Sequence, residues 1–309
     1  MCDLTNPIFT SEAVARNYLQ SQRWPDGPIC PHCGGYERIK ALKGKAHRPG
    51  LFQCGDCRGQ FSVTVGTVFE RSKIGLHKWL LATHLLSSSK KGISTHQLHR
   101  MLGVTYKTAW FMTHRLREAM RDDNPSPLGG SGKVIEADET YVGGSKRGRN
   151  KLGRRITAHD KMKVVGLVER GGKARTFHVS QVNARTVRRI LVTNADRRSS
   201  LNTDEAMYYR GVGLEFHSHE MVNHVRMEYA RGDTTTNTIE GFFSIFKRGM
   251  KGVYQHCSEK HLQRYLTEFD FRYNHRDITD AERRDKALQG IAGKRLTYRR
   301  VNVRQDQQA

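Results

Sequence analysis

No stretch of the 309-residue chain approaches the roughly 18 consecutive apolar residues that a membrane-spanning helix needs. The mean hydropathy of −0.68 agrees, and no membrane partner is expected. Cysteine is scarce: six residues over this length are too few for a secreted disulfide scaffold. The opening Met1-Cys-Asp-Leu-Thr-Asn-Pro7 has neither the basic start nor the apolar stretch of a signal peptide, so a cytoplasmic location is expected. Acid is in short supply too, 30 Asp+Glu against 53 Lys+Arg, which leaves a formal charge of +23. An excess of that size points to a polyanionic partner, nucleic acid first. Disorder throughout is excluded by 37% hydrophobic residues, including 12 Phe, 11 Tyr and 3 Trp, enough for cores of ordinary size.

Pattern divides the chain into segments. Residues 1–24 contain a helical run through Ala13, Val14, Tyr18 and Leu19 that stops at Pro25, a small cap helix. Residues 25–68 are rich in Gly and Cys with short strand-like pieces, and need a metal or a neighbour to bury a core. Residues 74–122 read as three helices. Pro and Gly crowd the segment 123–132, which reads as a linker because both block helix and sheet. Residues 133–278 open with strand-like runs at 133–142, 163–169 and 175–179. A helix at 184–194, a short strand at 200–203 and two closing helices follow, an α/β or α+β order. Residues 279–309 read as a basic, polar tail.

Four of the cysteines form two knuckles, Cys30-Pro-His-Cys33 and Cys54-Gly-Asp-Cys57. A ribbon that folds back over the intervening residues brings four thiolates around one tetrahedral Zn²⁺. His32 sits inside the first knuckle and reads as an exposed spacer. Further on, Ser94-Thr-His-Gln97 has capping-box spacing, Gly103 supplies a turn, and Thr105 can cap a helix beginning at Tyr106. This is the grammar of a helix-turn-helix, in which Tyr106, Lys107 and Thr108 would read the major groove, with Arg115, Arg117 and Arg121 in support. An ordinary helical hairpin has the same pattern.

Three carboxylates stand at the ends or edges of elements in the basic second half. Glu136, Asp138 and Thr140 share one face of a strand, Asp204 ends a second strand, and Glu240 lies on a helix whose buried face is Ile239, Phe242, Phe243 and Phe246. Singly each is an ordinary surface or capping acid. Together, in so basic a chain, Asp138, Asp204 and Glu240 fit a site that holds two Mg²⁺ or Mn²⁺ ions against a phosphate backbone. Asn237, Glu240, Ser244 and Lys247 form a polar stripe on that helix, and Arg248 adjoins it. The loop after the first strand holds six basic residues, among them Arg147, Arg149, Arg154 and Arg155, and either tracks DNA or is a solvated basic loop.

In chain order, the knuckles, the helix-turn-helix, Asp138-Glu-Thr-Tyr-Val-Gly-Gly144, Thr203-Asp204, Asn223-His224, Thr236-Asn-Thr-Ile-Glu-Gly-Phe242, Leu262-Gln-Arg-Tyr-Leu266 and Glu268-Phe-Asp-Phe-Arg-Tyr-Asn274 resemble the IS-fifteen-ninety-five (ISXO-two-like) insertion-sequence transposases. The resemblance covers nearly the whole chain. It implies a multidomain protein: an N-terminal zinc ribbon, an all-α helix-turn-helix, and an α/β ribonuclease-H-like domain with a DDE triad. That triad falls on Asp138, Asp204 and Glu240, with Lys247 seven residues on, whereas Glu136, Glu139 and Glu205 are neighbouring acids outside the pattern. Thr235 stands where the family often has His, and Phe243 where it often has Trp. The implied activity is metal-dependent cleavage at terminal inverted repeats and joining to target DNA. It would be carried out by a homo-oligomer on DNA, with Asn237 and Arg248 among the DNA contacts. The competing readings are a zinc-ribbon and helix-turn-helix regulator without catalysis, and a related nuclease that does not join.

Overall fold

A computed structural model describes residues 4–143, 161–223 and 230–297. They fall into two compact units, one of residues 4–89, 93–120 and 278–297, the other of residues 90–92 and 121–277. Arg147, Arg149, Arg154, Arg155 and His224 lie outside the described residues.

In the first unit, α1 (Glu12–Arg23) starts at Ser11, whose side chain accepts from the Val14 N–H, and buries Ala15 and Leu19. An antiparallel sheet of β1 (Ile39–Ala41), β2 (Phe52–Cys54) and β3 (Gln60–Phe61) follows. So small a sheet has little to bury. Its core is three rings, Trp24, Phe52 and Phe61, with centroids 5.6–5.8 Å apart. Three helices come next, α2 (Leu76–Ser88), α3 (Thr95–Leu102) and α4 (Tyr106–Ala119). Ser94 accepts from the Gln97 N–H at 3.1 Å and Thr105 from the Thr108 N–H at 3.3 Å, so both helices start where the sequence indicates. Gly103 turns the chain between them at φ 59°, a left-handed conformation that glycine adopts without a Cβ penalty.

The second unit is built on a five-stranded sheet: β4 (Val134–Val142), β5 (Met162–Glu169), β6 (Ala174–Val179), β7 (Ser200–Thr203) and β8 (Ser218–Met221). Its order is β6-β5-β4-β7-β8, with β5 and β6 antiparallel to their neighbours and β7 and β8 parallel to β4. A short hairpin, β9 (Ala230–Arg231) and β10 (Thr234–Thr235), leads into the last part. Alternation along β4 and β5 sends Ile135, Ala137, Val165 and Leu167 into one core with α5 (Ala184–Asn194) and α6 (Met207–Gly213). On the opposite face Val164 and Val168 pack with Ile239, Phe242 and Phe246 of α7 (Asn237–Gly249) and Leu262, Leu266 and Phe269 of α8 (Glu259–Asn274).

The edge strand β6 is closed by side chains of α8. Asn274 accepts from the Ala174 N–H (2.6 Å) and donates to its carbonyl (2.9 Å). Asp270 accepts from the Thr176 N–H (2.9 Å) and hydroxyl (2.8 Å). Gln263 accepts from the His178 N–H (2.8 Å) and donates to the Thr176 carbonyl (3.0 Å). Three polar residues at helical spacing thus pair groups that would otherwise invite another strand.

Two expectations are corrected here. Residues 280–289, expected as part of a basic, polar tail, form α9 (Asp280–Gln289) in the first unit, entered through a Thr279–Glu282 capping box and burying Arg283, Arg284, Ala287 and Leu288. The expected linker has neither helix nor strand, yet its Leu128 is buried in the α5/α6 core and pairs by backbone with Asn194.

Candidate metal centre and nucleic-acid interface

The knuckles bring their four sulfurs together, each within 4.8 Å of the others. Cys30 and Cys57 lie 3.7 Å apart at sulfur, as do Cys33 and Cys54. Gly34 allows the first knuckle to turn at φ 79°. Burial opposes ionisation of Cys30, but backbone N–H groups of Cys33 and His32 directed at its sulfur outweigh it and bring the thiol down to about 7. A tetrathiol set of this geometry suits a structural Zn²⁺. His32 is exposed and its Nε2 lies 3.4 Å from the Gln60 carbonyl, away from the sulfurs' task.

A second cluster stands where β4 and β7 run side by side. Their parallel register pairs Glu136 with Asn202, so Asp138 and Asp204, each two residues on, come out at the same level. Asp138, Asp204 and Glu139 each offer an oxygen within 4.8 Å of the other two. Asp138 faces α7 across Gly166, its partner on β5. A Cβ at Gly166 would sit 2.7 Å from Phe243, so glycine there lets α7 lie close to the sheet. Burial first, and then the charges of Glu139, Asp204 and Glu240, raise the Asp138 carboxyl to about 8. Carboxylates that resist ionising together are matched to a hard divalent cation, which removes the repulsion and is bound through oxygen.

Glu240 lies in the first turn of α7 and is exposed, with its Oε1 accepting from the Thr236 hydroxyl at 3.0 Å. It acts on Asp138 electrostatically but is not part of the tight trio. Glu139, which the sequence leaves outside the triad, takes that place. It points to the other face of β4, where Tyr208 donates to it in a short hydrogen bond and Tyr209 donates at 3.2 Å. Burial raises its carboxyl, and these tyrosines pull the other way. Glu136, also read as a bystander, is fully buried and bonded to Arg170 and to the start of α7. The strand's alternation was readable, whereas partners 34 and 102 residues away carried no local signal.

Lys247 and Arg248 are exposed on α7, as is Asn237 at its start. Lys247 lines a cleft of about 570 Å³ together with Tyr141, Lys161 and Lys251. In the three-helix segment, Tyr106 and Lys107 are exposed, and Tyr106 packs on His96 with ring centroids 4.5 Å apart. The Thr108 hydroxyl is spent locally, 2.9 Å from that of Thr105. Arg117 is buried and donates to Thr113, and Arg115 donates to the Glu70 and Leu296 carbonyls. Arg121 pairs with Asp123. Arg115 and Arg117 are therefore structural, not the supporting DNA contacts that their spacing indicates.

The mixed sheet, with Asp138 in one strand, Asp204 just past its parallel neighbour and helices on both faces, is consistent with a ribonuclease-H-like domain in a chain that also carries a zinc ribbon. Residues 127–274 match the ISXO2-like transposase domain, and residues 10–60 the transposase zinc-ribbon domain. A protein of Halobacterium salinarum described as an uncharacterized protein in transposable element ISH50 is 32% identical over 279 residues, 85% of this chain and 91% of the relative. A solved simian T-cell lymphotropic virus intasome, in complex with a PP2A regulatory subunit, aligns over 63% of each chain at 12% identity and a TM-score of 0.26, too low to carry an argument. The chain belongs to the ISXO2-like family of insertion-sequence transposases. Among the described residues no helix is long and apolar enough to cross a membrane.

Proposed function

We propose that this chain binds the terminal inverted repeats of its own mobile element, cleaves at their ends, and joins the freed 3′-hydroxyls to target DNA. The observation that carries the reading is the convergence of Asp138 and Asp204 at one level of the sheet, with Glu240 acting on the same site. Asp138, Asp204 and Glu240 are the metal-holding triad, and Glu139 is an added ligand oriented by Tyr208 and Tyr209. Asp138, Asp204 and Glu240 would hold Mg²⁺ or Mn²⁺, two per site, which when bound would activate the attacking oxygen and stabilise the leaving one. Lys247 is exposed on α7. It holds a backbone phosphate in the cleft it shares with Lys161 and Lys251. The exposed Asn237 and Arg248 add contacts on the same helix.

The helices α3 and α4 act as a helix-turn-helix, with Tyr106 and Lys107 toward the bases, and the basic residues Arg147, Arg149, Arg154 and Arg155 follow the backbone. Joining two element ends calls for at least two copies, so the working form is a homo-oligomer on DNA. Purified protein and labelled terminal-repeat duplex test this: Mg²⁺- or Mn²⁺-dependent joined product is expected. Metal-independent binding without cleavage would favour a regulator, and nicks without joining a hydrolytic nuclease.

A further inference from the structure

A buried polar layer lies one strand repeat beneath the carboxylates. Glu136 and Asn202 face each other in the β4–β7 register, two residues before Asp138 and Asp204. Both reach the short segment 235–239 that opens α7. Glu136, 0% exposed, accepts from the Thr238 N–H at 2.8 Å, the Ile239 N–H at 3.0 Å and the Thr238 hydroxyl at 2.9 Å. The helix has no side-chain cap of its own, because Thr236 at its N-cap makes no capping bond. A carboxylate from a strand about a hundred residues earlier therefore satisfies its first amides and meets the positive end of its dipole.

Arg170, just past β5, completes the layer. It donates to Glu136 at 3.1 and 2.9 Å, to the Asp233 carbonyl at 2.8 Å, and to the Thr235 carbonyl and hydroxyl at 3.3 Å. Asn202 donates to the same Thr235 carbonyl at 3.3 Å. The pinned segment also holds the acid: the Thr236 hydroxyl donates to Glu240 at 3.0 Å. A buried carboxylate of this kind is tolerated only when its charge and lone pairs are fully met. Every partner of Glu136 named here belongs either to the start of α7 or to the arginine that grips the segment before it.

We propose that Glu136 is a positioning residue, which with Arg170 and Asn202 fixes the start of α7 so that Glu240 is held against Asp138 and Asp204. This rests on the reading of Glu240 as a metal ligand. The layer ties together the three elements that bear the triad, and each tie is made to the residues immediately before Glu240.

The test is a double-variant cycle on the full chain, read by Mn²⁺ titration calorimetry without DNA and by the Mn²⁺ concentration for half-maximal joining. Glu136→Gln keeps the shape of the side chain and loses its charge. It is expected to retain zinc and terminal-repeat binding while weakening Mn²⁺ binding about tenfold, the scale seen when a residue that orients a ligand is lost. In a Glu240→Gln background the same change should add little, because the contribution it protects is already gone. Additive losses in the double variant, or unchanged Mn²⁺ affinity in folded Glu136→Gln, would overturn the proposal. Asn202→Ala removes a single bond and serves if Glu136→Gln does not fold; a shift of about threefold in the same direction is expected, and no shift refutes the layer. Wild-type protein that binds Mn²⁺ but joins no DNA counts against the transposase reading alone, since the calorimetric cycle is independent of it.

Discussion

Asp138→Asn should reverse its effect on stability according to whether a divalent cation is present. The carboxyl stands at about 8 in the folded chain because of burial and the charges of Glu139, Asp204 and Glu240, against roughly 3.9 when unfolded. Between those values the folded chain keeps a proton that the unfolded chain has released, so stability is full below about pH 4 and falls as pH rises toward 8. From pH 5 to pH 8 the linkage removes roughly 3–4 kcal/mol from the metal-free wild type. Glu139, whose carboxyl burial also raises, adds a loss of the same sign. At about 2–4 °C per kcal/mol, the wild type should melt on the order of 10 °C lower at pH 8 than at pH 5 on this account alone. Asn cannot ionise, so the variant's curve should be markedly flatter. Added Mg²⁺ or Mn²⁺ should restore the wild type at pH 8 and leave the variant unmoved. The assay is thermal unfolding across pH in cation-depleted buffer without chelator, which would also strip the cysteines. Parallel pH profiles for the two proteins would mean that Asp138 does not hold a raised carboxyl in the folded chain.

Elemental analysis should find one zinc per chain, and Cys57→Ser should lower it and destabilise the ribbon; reduced, folded protein without zinc would exclude the site. Asn274→Ala strips two hydrogen bonds from the edge strand β6 and should lower stability by about 1–3 kcal/mol in chemical denaturation while leaving the cysteine and carboxylate clusters in place. Changing Lys107 should reduce preference for the terminal repeat in competition binding, whereas neutralising Arg154 and Arg155 should weaken binding to all sequences and lower its salt slope. Equal loss of specificity from both changes would contradict that division.

Elements with a strong period were legible in the sequence. The runs that became β4 and α5 were placed within a residue, and two closing helices were expected where α7 and α8 stand, because the apolar pattern of each reports its core-facing side. Helix α6 was not, being seven residues with two glycines, and β8, Ser218–Met221, has no apolar alternation. Helix α9 hid behind its polarity: Arg284 is buried by laying its guanidinium near the rings of Tyr18 and Phe9, although Thr279 and Glu282 already spelled a capping box. The same limit applied at the site. Asp138 was found from a strand face and Asp204 from a strand end, while Glu139 required the tyrosines of the unseen α6. Arg115 and Arg117 looked like DNA contacts because charge on a helix says nothing of which carbonyls lie beside it.

Anomalous diffraction from crystals of the full chain soaked in Mn²⁺ would locate the divalent cation. Manganese is expected between Asp138 and Asp204, with Glu240 closing in as a ligand and Glu139 beside them. Manganese bound elsewhere, or a well-ordered site at Asp138 and Asp204 that is unchanged by Glu240→Gln, would contradict this placement.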